Sequence, residues 1–113
     1  MIRTFDDIGK SELRGMVRRV DSLGRILVPK EYRTELALEK DVRIEISVLE
    51  DGMLIRPIYA DAEEQGRMTI RRIDNLGRIN IPVAARHVLD IAFHDELEIF
   101  LLRSGLFIRK KIV

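Results

Sequence analysis

The chain has no cysteine, so disulfides and thiolate metal sites are excluded, and redox chemistry says nothing about its compartment. It also lacks a long apolar run, which leaves no candidate for a membrane-spanning helix. Residues Met1 to Gly15 lack the apolar centre of a signal peptide, because Asp6, Asp7, Lys10 and Glu12 interrupt it. A cytoplasmic location is the default expectation. Histidine is nearly absent: His87 and His94 stand in one half of the chain with no counterpart in the other, and no serine or carboxylate constellation surrounds them. These residues read as surface histidines, and no enzyme, metal site or cofactor is expected.

Bulk charge is scarce too, with a formal net charge of +1 over 113 residues, so overall electrostatics do not point to a polyanionic partner. The distribution does. Val17 to Thr34 carries +3 and Ile70 to His87 carries +3, which leaves the rest of the chain at −5. Two basic segments on an otherwise acidic chain indicate a localised contact surface. Hydrophobic residues at 46% supply enough apolar material for one core, but the length does not suit two independent domains of ordinary size.

The two basic segments are copies of each other. Val17 to Arg56 aligns with Ile70 to Arg109 without a gap at a constant offset of 53 residues. Identical pairs include Arg18 and Arg71, Arg19 and Arg72, Asp21 and Asp74, Gly24 and Gly77, Arg25 and Arg78, Pro29 and Pro82, Arg33 and Arg86, Glu45 and Glu98. Packing alone accounts for repeated glycines, prolines and apolar positions. It has no evident use for an arginine at the same four surface-type positions twice.

Each copy predicts the same elements. A β-prone stretch from Met16 to Val20 leads into a turn over Asp21 to Gly24, where aspartate bonds its own backbone and glycine supplies positive φ. A second short strand, Arg25 to Val28, precedes Pro29, which suits the first position of a two-turn helix with Tyr32 and Leu36 on its apolar face. Val42 to Leu49 alternates, with Val42, Ile44, Ile46 and Val48 on one face and Arg43, Glu45 and Ser47 on the other. Glu50 to Gly52 then forms a hairpin turn into Met53 to Arg56. Outside the copies, residues 1–15 form an arm and residues 58–67 an acidic linker; the repeats occupy 16–57 and 68–113. Glu45 and Glu98 point outward and are expected to pair with neighbouring basic groups.

The run Val17-Arg18-Arg19-Val20-Asp21-Ser22-Leu23-Gly24-Arg25-Ile26-Leu27-Val28-Pro29-Lys30-Glu31-Tyr32-Arg33 closely resembles the AbrB and SpoVT family of swapped-hairpin regulators, and Ile70 to Arg86 resembles it too. The resemblance implies a mainly β fold with short helices: a swapped-hairpin barrel in which two β-β-α-β-β repeats share one core with pseudo-twofold symmetry. It further implies a DNA-binding transcriptional regulator associated with the nucleoid, with double-stranded DNA as partner. By position it implicates Arg18, Arg19, Arg25 and Arg33, with Arg71, Arg72, Arg78 and Arg86; Lys30 at the start of the first helix joins them. Guanidinium groups bind phosphate oxygens in pairs and reach guanine edges. Strand alternation sets the adjacent Arg18 and Arg19 on opposite faces, which leaves one of them a structural role. Arg33 and Arg86 have nearby acids such as Glu35 as alternative partners.

Antitoxins of the MazE type offer a competing reading, with a similar barrel and a tail that wraps a toxin; only four residues follow Arg109, the last residue of the aligned copy, so no such tail is expected here. Two further expectations concern assembly. The copies should close on each other within one chain, and Phe100 and Leu102, on outward strand positions, should be covered by the arm or by a second chain in a dimer of barrels.

Overall fold

In a computed structural model of the chain, residues 15–58 and 69–111 are described. The order of elements is β1 (Met16–Arg19), β2 (Arg25–Leu27), α1 (Lys30–Glu35), β3 (Arg43–Val48), β4 (Met53–Ile58), β5 (Thr69–Arg72), β6 (Arg78–Asn80), α2 (Val83–Val88), β7 (Glu96–Leu102) and β8 (Gly105–Lys110). The second five elements repeat the first five. Residues 1–14 of the arm and 59–67 of the linker lie outside the described residues.

Eight strands form a six-stranded sheet, ordered β1-β7-β8-β4-β3-β5, and a two-stranded ribbon, β2-β6. Each half forms one internal hairpin, β3 with β4 and β7 with β8. All other pairings cross between halves: β1 lies antiparallel to β7, β5 to β3, β4 to β8 and β2 to β6. Neither half therefore completes its sheet alone. The pairings follow the offset of the repeat, since Met16 faces Ile99 while Thr69 faces Ile46. The two-strand ribbon is closed at its ends by further exchange, with the Val28 amide donating to Gly77 and the Ile81 amide to Gly24, each at 2.9 Å.

The main core lies inside these strands and draws equally on both halves, including Ile26, Ile44, Ile55, Ile79, Leu97 and Ile108. A smaller cluster of Leu49, Leu54, Phe100 and Phe107 sits on the other side of the sheet, where Leu54 and Phe107 are register partners. Phe100, expected on an outward face awaiting cover, is only 5% exposed within the single chain. The alternation of β3 holds at Ile44 and Ile46, both buried, but Val48 at the strand end is 40% exposed while Leu49 is buried. The strand outruns the main core there, and Leu49, just beyond its end, packs into the smaller cluster.

The helices are six residues each, too short to persist on propensity. Pro29 and Pro82 occupy the N-cap and not the first helical turn, with extended φ/ψ near −55° and 140°. At the other end, Ala37 and Asp90 adopt left-handed φ of 52° and 55°. The Leu38 amide reaches back to Arg33 and the Ile91 amide to Arg86, both at 2.8 Å. This is the Schellman closure, in which the residue after the left-handed position also docks on the core; Leu38 and Ile91 are both buried.

Candidate nucleic-acid interface

The ribbon arginines are built by their turns. The Asp21 carboxylate accepts from the amides of Leu23 at 3.0 Å and Arg25 at 2.8 Å, and its second oxygen accepts from Arg25 Nε at 2.7 Å. Asp74 repeats this with Leu76 and Arg78 at 2.9, 2.8 and 2.7 Å. Partial burial by itself would raise these carboxyls; the amide and guanidinium of the following arginine, with the leucine amide, outweigh it and hold both below the usual carboxylate range. One carboxylate thus shapes the turn and aims a guanidinium. Arg25 and Arg78 remain about a quarter exposed, fixed in direction without being covered.

The β2-β6 register brings the two arginines to one surface. Arg25 is opposite Asn80, Ile26 opposite Ile79 and Leu27 opposite Arg78. With the isoleucines fully buried, alternation sets Arg25, Leu27, Arg78 and Asn80 on the outer face. The exposed turn leucines Leu23 and Leu76 flank it.

The helix arginines have a different place. Arg33 Nε donates to the Val28 carbonyl and Arg86 Nε to Ile81, each at 3.1 Å. Both are half-buried, and among the described residues neither forms an ion pair with Glu35, which the sequence offered as an alternative partner. Each guanidinium instead lies over the turn glycine of the other half: a Cβ on Gly77 would stand 2.5 Å from Arg33 Cζ, and one on Gly24 2.7 Å from Arg86 Cζ. The glycines, at φ of 79° and 86°, are therefore required twice over, by the turn and by the arginine crossing it.

Strand register separates the first-strand pairs, as alternation requires. Arg18 shares a face with buried Leu97 and Arg71 with buried Ile44, whereas Arg19 is opposite Glu96 and Arg72 opposite Arg43. Arg18 and Arg71 each donate Nη1 to the preceding carbonyl, at 2.8 and 3.0 Å. Arg19, Arg71, Arg72 and Lys30 are exposed; Arg18 is half-buried. Glu45 and Glu98 pair outward with Arg56 and Arg109 at 3.4 Å each.

Arg43, in register with Arg72, has no arginine counterpart in the second copy, where Glu96 holds the matching position. Among the described residues, no group of three or more histidine, cysteine, aspartate or glutamate side chains is placed to hold a metal. His94 stacks on Phe93 with ring centroids 3.7 Å apart. No helix among the described residues is long and apolar enough to cross a membrane.

Residues 17–61 match a family described as antidote-toxin recognition MazE, bacterial antitoxin. Over 52 residues the chain is 42% identical to Stage V sporulation protein T of Bacillus subtilis (strain 168), a match covering 46% of this chain and 29% of that protein. The chain thus spans less than a third of that relative's length. No solved structure matches the chain.

Proposed function

We propose that this chain, which is of the AbrB and SpoVT type, is a DNA-binding transcriptional regulator that holds duplex DNA against the outer face of the β2-β6 ribbon and the neighbouring first strands. The observation that carries this reading is the paired presentation of Arg25 and Arg78, each aimed by its own aspartate, on one surface across the pseudo-twofold axis. Arg19, Arg71, Arg72 and Lys30 extend the contact to phosphates. Arg33 and Arg86, tied to backbone and laid over the turn glycines, shape that surface more than they reach from it. Arg18 is held close to its own strand in the same way. The helices are too short to act as groove-reading elements of the usual kind, so selectivity comes partly from DNA shape and flexibility.

The repeats are assigned to residues 16–57 and 68–113, joined by a linker at 58–67, with the protein working in the cytoplasm at the nucleoid as a dimer of barrels. The test is a titration of duplex fragments with the wild type and the Arg25→Ala, Arg78→Ala double variant over a range of salt. Four neutralised phosphates give a slope of log affinity against log salt near −3.6, at roughly −0.9 each. The double variant should bind more weakly, because it removes two donors and also leaves Asp21 and Asp74 as uncompensated anions facing phosphate. Equal affinity for the two folded proteins rejects the ribbon as the interface.

The match of residues 17–61 to an antitoxin family favours one second reading, in which the barrel is the antitoxin of a toxin–antitoxin pair. Copurification of a small toxin with the full chain from its own cells is its test.

A further inference from the structure

The ribbon continues from two shoulders of the barrel, β1 with β7 and β5 with β3, through the two turns. With their turns, its two strands read Asp21-Ser22-Leu23-Gly24-Arg25-Ile26-Leu27 and Asp74-Asn75-Leu76-Gly77-Arg78-Ile79-Asn80, which differ at two positions. Ser22 and Asn75 are both exposed and both carry hydrogen-bonding groups. Leu27 and Asn80 differ in kind, since one is a hydrocarbon and the other an amide with donors and an acceptor.

Register puts this difference at the centre of the proposed contact. The pseudo-twofold axis passes through the buried Ile26–Ile79 pair and exchanges Arg25 with Arg78 and Leu27 with Asn80. Asn80 is directly opposite Arg25, and Leu27 directly opposite Arg78. Such pairs have Cβ atoms about 4.5–5.5 Å apart, and successive residues on one face of a strand are roughly 6.6 Å apart. The four side chains therefore share a patch about two base-pair steps long, at roughly 3.4 Å per step. Asn80 is exposed and Leu27 is 39% exposed. Asp21 and Asp74 take the Nε of the two arginines, which leaves the terminal nitrogens of each guanidinium to a ligand.

We propose that Leu27 and Asn80 make the centre of the DNA site asymmetric: the ribbon lies in the major groove, Arg25 and Arg78 read a guanine on each side of the dyad, and Asn80 reads an adenine on one side alone; this inference rests on the DNA-binding reading above. The major groove admits a two-stranded ribbon, and paired arginine nitrogens match guanine O6 and N7 there. An asparagine amide matches adenine N6 and N7 in the same bidentate way, whereas leucine offers only apolar contact, suited to a thymine methyl. The arginines are the shared part of the readout and fix its dyad. Asn80 and Leu27 give the two sides different bases, and so fix which way round the barrel sits on its site.

The experiment is selection of duplexes by the full chain from a pool with a randomised central stretch, followed by sequencing of what is bound. The wild type should recover two dyad-related guanines with an adenine beside one of them alone. Asn80→Leu should lose that adenine, and Leu27→Asn should gain its dyad mate. Each variant places a residue that the fold already carries at the equivalent position, and either decides the matter if the other does not fold. On the recovered duplex, replacing the adenine should weaken wild-type binding by roughly five- to a hundredfold and Asn80→Leu binding hardly at all. The salt slopes of the two proteins should be equal, because no phosphate contact is removed. A symmetric centre recovered by the wild type overturns the inference, as does an Asn80→Leu protein that still selects the adenine or has a flatter salt slope. A wild type that binds every duplex alike overturns the inference and leaves the DNA-binding reading standing; one that binds no duplex at any salt overturns that reading itself.

Discussion

The turn aspartates do three things with two oxygens, and the arginine over each turn glycine does two with one guanidinium. Alanine at Gly77 has to adopt φ near 86°, which costs about 1–2 kcal/mol for a side chain with Cβ, and must also push Arg33 aside. We expect Gly77→Ala to lower the melting temperature by clearly more than an exposed loop substitution such as Ser104→Ala; equal melting curves would count against the crossing arginine. Asp21 and Asp74 make a pH prediction. Their carboxyls titrate below the usual 3.8 in the folded chain, so their contribution is present above that value and is lost as pH falls through the lowered one. Amide shifts of Leu23, Arg25, Leu76 and Arg78 followed by NMR should stay flat down to the ordinary carboxylate range and move only below it. The turn itself was legible in the sequence, because aspartate, glycine and arginine act within five residues of one another. Arg33 was not, because what fixes it is a glycine in the other copy and the Val28 carbonyl just past its own second strand, and neither has a local sequence signal.

Elements as short as these survive by closure at their ends. Each helix stops on a left-handed residue that carries a side chain, Ala37 in one half and Asp90 in the other. Glycine takes that conformation freely, though it also gives the unfolded chain more freedom. Ala37→Gly should therefore stabilise the protein, by up to about 1 kcal/mol, measured by thermal or urea unfolding; a loss of stability would mean that Ala37 does more than end the helix. Asp90 is a poorer site for the same change, because glycine would also remove the carboxylate that stands 3.7 Å from Lys110 Nζ. Periodicity and turn chemistry located these strands and helices to within a residue or two. Their ends were less legible: prolines expected inside the first turn stand one residue earlier, since the extended residue before the helix is where the fixed φ of proline also fits.

On the scale of the whole molecule, the strand order makes each half the missing partner of the other. The duplication was visible at a fixed offset, and it implied that the copies share a core; which strand pairs with which was settled only by the fold, because a repeat in sequence is equally compatible with two separate sheets. A chain cut within residues 59–68 should keep its structure at high concentration and lose it on dilution, while the intact chain, whose halves meet at an effective concentration of order millimolar, should not. Dilution-dependent circular dichroism checks this, and a cut protein that stays folded at every concentration would show the halves to be independent.

The pairing of β1 with β7 and of β5 with β3 also changes how mutations are counted. In a barrel made of two identical chains every substitution enters both shoulders at once, because the interface is the same patch used twice. Here each shoulder is written by its own codons, so a change at position 43 leaves position 96 as it was. Damage is then incurred once where a symmetric pair would suffer it twice, and a new contact can be tried on one side while the other still holds.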